Sequence, residues 1–237
     1  MGLPSGWSIQ PPDVSFVPQK PPEGFDFDLW LGSAPAAEYS PGRIYWNFRW
    51  IFDYSGGMIT DWGAHLIDIA QWGNDTERTG PVEIDGKGAF PEHPLYNTAT
   101  EFHVECRYAN GVLLIIDSRE PSIRFEGADG WIESIGWCGE LKASSKEILE
   151  SKIGDGEIRL YTCPAGEQRN FLDCVKSRKE CYGPAETGHR TISIAHLGNI
   201  SMLLGRKIQW EPEKERFVKD AAANLLLSRQ MRTPWHL

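Results

Sequence analysis

The 237 residues carry 24 Lys and Arg against 33 Asp and Glu, a formal charge of -9 with a pI near 5.2, which argues against nucleic acid or an anionic membrane surface as partner, since both are held by basic fields. A hydrophobic content of 41% can fill the core of one large or two small domains; no apolar run approaches the roughly 18 to 20 residues that span a bilayer, and the first residues do not resemble a signal peptide. Five scattered cysteines, Cys106, Cys138, Cys163, Cys174 and Cys181, never spaced as C-x-x-C, read as reduced thiols rather than a disulfide framework or a zinc site.

Residues 1–42 hold eight of the sixteen prolines. Proline fixes φ and removes a ladder donor, so the segment reads as an extended arm packed on the body, with its aromatic and acidic stretch FDFDLWLG docked rather than free. Residues 43–237 read as one α+β domain. Within it, YSGGMITDWGAHLIDIAQW, residues 54–72, has the spacing of an amphipathic helix. At about 100° per residue, Asp61, His65 and Asp68 fall within about 60° of one another, and Met58, Trp62, Leu66 and Ile69 make the adjoining apolar stripe.

From residue 81 the period becomes two. Phe102, Val104 and Cys106 alternate with Glu101, His103 and Glu105, and a hairpin is expected at Asn110-Gly111. A second is expected around Asp129-Gly130, with further strands in GELKAS and EIRLYT, residues 139–144 and 157–162. The middle of the chain therefore predicts an antiparallel sheet of about five to seven strands. Helical spacing returns with Phe171, Leu172 and Val175, then with Ile192, Ile200 and Leu203 before Gly205, then with Phe217, Val218, Ala221, Leu225 and Leu226. The plan is α+β, a large mainly antiparallel sheet with helices on one face. No G-x-G-x-x-G follows a strand and no P-loop is present, so no nucleotide-binding half is visible.

The ridge Asp61-His65-Asp68 is where chemistry can reside. A carboxylate one turn from an imidazole can fix its tautomer for proton transfer to an alcohol or ketone. The same spacing also serves as a mere helix-stabilising pair, or as part of a divalent metal site, the lesser alternative because no further ligand is evident. Gly56 and Gly57 would let backbone approach a ligand, and Arg43, Trp46, Asn47, Arg49, Trp50 and Tyr54 supply hydrogen-bonding and stacking groups nearby. Ten tryptophans hint at a carbohydrate-sized ligand, since indoles form flat walls for sugar rings. Glu101, His103 and Glu105 read as a solvated sheet face. His189 and Arg190 read as cap or interface residues, His196 as a packed core histidine, and KSRKE as a solvated helix end.

GGMITDWGAHLIDIAQW resembles the segment that opens the C-terminal domain of Gfo/Idh/MocA oxidoreductases, which carries glycines, then Asp, then His four residues on, then Asp. The resemblance extends through the strand-rich middle to the stretch from EQRNFLDCVKSRKE to GRKIQWEP and the close NLLLSRQMRTPWHL. It implies a sugar- or polyol-binding catalytic domain from NAD(P)-dependent enzymes, with His65 as the proton-transfer residue, Asp61 as its substrate-binding or orienting partner, and Asp68 structural or near the substrate. It further implies a homo-oligomer formed through the sheet and a bacterial, cytoplasmic protein, export staying open if a preceding segment carries a signal. The family's glycine-rich loop and Glu-Lys-Pro lysine do not occur in these residues. NAD or NADP is thus expected on a separate Rossmann subunit or on a portion outside this sequence, and not on this chain alone. Two other readings stand beside this one. The first is a cofactor-independent lyase, epimerase or glycoside-cleaving enzyme on keto-sugars, metal-assisted or not; the second is a non-catalytic oligomeric binding module.

Overall fold

The computed structural model describes residues 1–136, 139–154, 157 and 163–235. Among the described residues nine strands make one mixed sheet: β1 (Gly2–Leu3), β2 (Glu83–Ala89), β3 (Glu101–Arg107), β4 (Leu113–Ser118), β5 (Ser122–Gly127), β6 (Gly130–Ile135), β7 (Leu141–Ala143), β8 (Ile208–Glu211) and β9 (Arg216–Phe217), in the spatial order β7-β6-β5-β1-β4-β3-β2-β8-β9. All described pairings are antiparallel except β1 with β4.

The alternation seen in the sequence fixes the register. Val104 lies opposite Gly86 and Ile116, and Cys106 opposite Ile84 and Leu114, on the inner face. On the outer face Lys87, His103 and Asp117 stand in one row and Arg124 opposite Glu133 in another. Charges there pair across strands: His103 Nδ1 lies 2.5 Å from Asp117 Oδ1, Arg124 Nη1 3.2 Å from Glu133 Oε2, and Lys207 Nζ 2.8 Å from Glu83 Oε1. The first hairpin closes where Tyr108 N donates to Val112 O at 2.9 Å, with Gly111 at φ +90°, a left-handed conformation that glycine adopts without strain. The second turns through Ala128 and Asp129, between paired Gly127 and Gly130.

The helices are α1 (Phe27–Leu31), α2 (Met58–Gly73), α3 (Lys146–Leu149), α4 (Glu167–Ser177), α5 (Ala185–Leu204) and α6 (Ala221–Leu225). The pair α2 and α5 covers the inner face and closes the main core around Ile59, Ile67, Ile84, Val104, Ile116 and Ile194. Helix α5 comes close enough to β2 for Ser201 Oγ to accept from Gly86 N at 2.8 Å. A Cβ at residue 86 would stand 3.0 Å from both Gly198 O and Met202 Cγ.

Four expectations need correction. In α2 the buried residues are Met58, Ile59, Gly63, Leu66, Ile67 and Gln71, whereas Ile69 is 42% exposed and Trp62 only half-buried. The helix has two apolar sides, and the sheet and α5 take the one carrying Ile59 and Ile67. Phe171, Leu172 and Val175 do lie on a helix, α4, but Phe171 is 58% exposed and its two companions also face outward, leaving Cys174 as the buried residue. Phe217 belongs not to a helix but to β9, buried with its ring edge-to-face against Trp210 at 4.9 Å. The start of the presumed arm is a central strand, with Leu3 fully buried; two residues carry no periodicity by which a strand could be seen. Apart from Glu157, the strand expected at 157–162 lies outside the described residues, as does Cys138; the other four cysteines are free thiols. Among the described residues no helix is long and apolar enough to cross a membrane.

Gly86→Val should lower stability by about 1–3 kcal/mol through overpacking against α5, measured as the urea midpoint at unchanged m. An unchanged midpoint would show that β2 and α5 are not held at this separation.

Candidate functional site

Gly57 caps the start of helix α2, and its φ of +78° and contact with Thr98, 2.6 Å from the position of a Cβ, exclude a side chain. At Gly56 a Cβ would meet Thr60 Cγ2 at 2.4 Å and Asn199 Nδ2 at 2.9 Å. The two glycines are therefore required by packing inside the protein, a reason different from the approach of a ligand that the sequence suggested. They let Gly57 N donate to Arg49 O at 3.0 Å and Asn199 Nδ2 to Gly56 O at 2.8 Å, which anchors the helix start on both sides.

Arg49 organises the ridge. Its Nε donates to Asp61 Oδ1 at 3.1 Å, its Nη1 to Trp46 O at 3.0 Å, and its guanidinium lies 4.2 Å from the centre of the Trp46 ring. Asp61 stands in the first turn of α2, where a carboxylate interacts favourably with the helix dipole. The partly exposed ion pair contributes at most about 1 kcal/mol to stability, so its main effect is to fix where the carboxylate points. His65 follows one turn later on the exposed side of the helix. Asp68 accepts from Thr191 Oγ1 at 2.8 Å and so ties α2 to α5.

The nearby candidates divide. Arg43 donates through Nη1 to Tyr54 Oη at 2.9 Å and through Nε to Glu38 O at 3.2 Å, and the Tyr54 ring packs edge-to-face on Trp30. Burial raises the pKa of the Tyr54 hydroxyl, partly countered by Arg43. Trp46 remains 38% exposed. Asn47 and Trp50 are corrected: both are 0% exposed and cannot touch a ligand. The Asn47 amide is used at both ends on Gln10, accepting from its N at 2.9 Å and donating to its O at 2.8 Å, while Trp50 Nε1 donates to Ser8 O at 3.3 Å. These contacts clasp the proline-rich segment, whose Trp7 and Phe16 pack edge-to-face on the stacked rings of His93 and Tyr96.

His189 and Arg190 lie within α5, bound to Glu215 at 2.5 and 3.0 Å. His196, read as a packed or capped core residue, is exposed instead, because the adjoining Leu197 and Gly198 take the buried face of α5. Among the described residues no three His, Cys, Asp or Glu side chains stand close enough to hold a metal ion.

Residues 9–237 match the family model described as the oxidoreductase family, C-terminal alpha/beta domain, of the Gfo/Idh/MocA group. The chain belongs to the Gfo/Idh/MocA oxidoreductase family. Two solved structures show the same fold for this Gfo/Idh/MocA domain. One is an NAD-binding protein from Listeria innocua, with TM-score 0.52 and 15% identity over 75% of this chain and 52% of the other. The second is the WlbA dehydrogenase from Bordetella pertussis in complex with NADH and UDP-GlcNAcA, with TM-score 0.52 and 18% identity over 69% of this chain and 49% of the other. The chain thus spans about half the length of these structures. No curated protein matches it.

Asn47→Ala should cost about 1–3 kcal/mol by removing two hydrogen bonds at a fully buried site, whereas Trp46→Ala should change stability by about 0.5 kcal/mol or less, as exposed substitutions do. Chemical denaturation of both variants checks this; equal effects would contradict the division into clasp and surface.

Proposed function

We propose that this chain is the substrate-handling half of a Gfo/Idh/MocA oxidoreductase acting on a sugar, polyol or sugar derivative, with His65 as its acid/base group. The observation that carries the reading is the exposed His65 one turn beyond an Asp61 fixed by Arg49, in a chain that the family model matches over residues 9–237. Imidazole suits the task because its two protonation states are both accessible near neutral pH. His65 takes the proton of the reacting hydroxyl on oxidation and returns it on reduction. Asp61, already oriented, accepts from a neighbouring ring hydroxyl, and the exposed indole of Trp46 offers stacking surface. Arg43 and Tyr54, held by each other, border this region in sequence, while the Thr191 contact of Asp68 makes it a support of the ridge.

The described residues do not fit a dinucleotide. They contain no parallel β-α-β unit and no glycine-rich phosphate loop, so the groups that cradle a pyrophosphate are missing from them. NAD or NADP, which supplies the hydride acceptor in such enzymes, is assigned to a Rossmann portion outside these residues or to a separate subunit. Self-association through the outer face of the sheet and a bacterial, cytoplasmic setting belong to the same reading.

In the enzyme assembled with its dinucleotide-binding portion, His65→Asn should lower kcat on a sugar alcohol about a hundred- to ten-thousandfold with little change in KM. An unchanged kcat would remove His65 from the chemistry. Calorimetric titration of NAD and NADP into the chain alone should give no binding up to the millimolar range; micromolar binding would overturn the assignment of the dinucleotide elsewhere.

A further inference from the structure

A cavity of about 810 Å³ opens between the start of α2, the outer side of α5, the β8–β9 hairpin and the segment after α6. Neither Asp61 nor His65 lines it, while Tyr54 and Thr60 do, so it adjoins the ridge without including its carboxylate–imidazole pair. Its volume falls in the range of small-molecule sites, and much of its wall is apolar, with Leu197, Ile200, Leu203 and Leu226 among the residues. Two polar groups on this wall can serve a ligand.

The first is Asn199. It is 3% exposed, and its Nδ2 is used on Gly56 O, but its Oδ1 is shielded from solvent with no hydrogen-bond partner. A buried acceptor in that state is costly and calls for a donor. The second is Arg229. Its Nη2 donates to Ser55 O at 3.2 Å, yet among the described residues it forms no ion pair with a carboxylate. The acidic residue on the wall, Glu215, is already engaged by His189 and Arg190, and Asp53, whose charge also acts on Arg229, forms no ion pair with it among the described residues.

A ligand complementary to this wall brings an anion for the guanidinium, a hydroxyl donor for Asn199 and a carbon skeleton for the leucines. A phosphate alone lacks the skeleton, and a neutral sugar lacks the anion. We infer that this cavity binds a polyhydroxy carboxylate of sugar size, its carboxylate on Arg229 and a hydroxyl toward Asn199.

The test is calorimetric titration of the chain with D-glucuronate and, under the same conditions, with D-glucose. Glucuronate should bind about tenfold or more tightly than glucose, the scale of one charge-assisted hydrogen bond. Arg229→Gln should abolish that difference, Arg229→Lys should restore part of it, and His65→Ala should leave it intact, with thermal melting confirming that each variant is folded. No glucuronate binding up to about 10 mM, equal affinity for the two sugars, or persistence of the difference in Arg229→Gln would overturn the proposal. Loss of binding in His65→Ala would also overturn it, by placing the ligand on the ridge; the acid/base reading of His65 stands or falls separately, on kcat.

Discussion

The close approach of helix to sheet at Gly86 and Gly198 is the constraint from which the other positions follow. With no Cβ on β2 at residue 86, α5 settles until Ser201 meets the Gly86 amide and Met202 lies over the strand. That depth sets Asn199 at the height of Gly56 and Thr191 at the height of Asp68, so α5 holds α2 at both ends of its exposed ridge. Dense interiors resist such displacement because each contact is short-ranged and all are made at once. The ridge is therefore placed by contacts that α5 makes with the helix that carries it.

A second anchoring comes from the proline-rich segment. Its backbone contributes little regular hydrogen bonding of its own, so it is held by side chains of the body: the amide of Asn47, the indole of Trp50 and the stacked rings of His93 and Tyr96. Phe27, Leu31, Tyr39 and Ile44 then form a small satellite core, and that is how a stretch of low secondary-structure content remains attached. The tryptophan-rich composition is in part explained by this work, since Trp7, Trp30 and Trp50 pack the segment rather than a sugar.

Long-period signals were legible in the sequence. The α+β plan, the hairpin at Asn110-Gly111, the long α5 ending at Gly205 and the family resemblance all rest on patterns spread over ten or more residues, where chance matches are few. What escaped was decided by single contacts. Periodicity showed that α2 is amphipathic but not which of its two apolar sides meets the sheet, so Ile69 and Ile59 exchange roles. Asn47 and Trp50 sit beside Arg49 in sequence, yet the 3-10 turn Tyr45–Trp50 sends them inward and Arg49 outward. The cavity groups escaped for another reason: Asn199 and Arg229 are thirty residues apart and belong to no motif. Of the two, Asn199 offered one faint cue, an amide among apolar residues in the middle of a buried helix.

Arg49 reaches the aromatic loop and the helix at once. Its carbonyl accepts from the amide of Gly57, the cap of α2, its side chain grips Asp61, and the same guanidinium lies on Trp46. Loop and ridge are thus joined through one guanidinium. The position of the indole and the direction of the carboxylate therefore depend on the same side chain, and neither is set without the other.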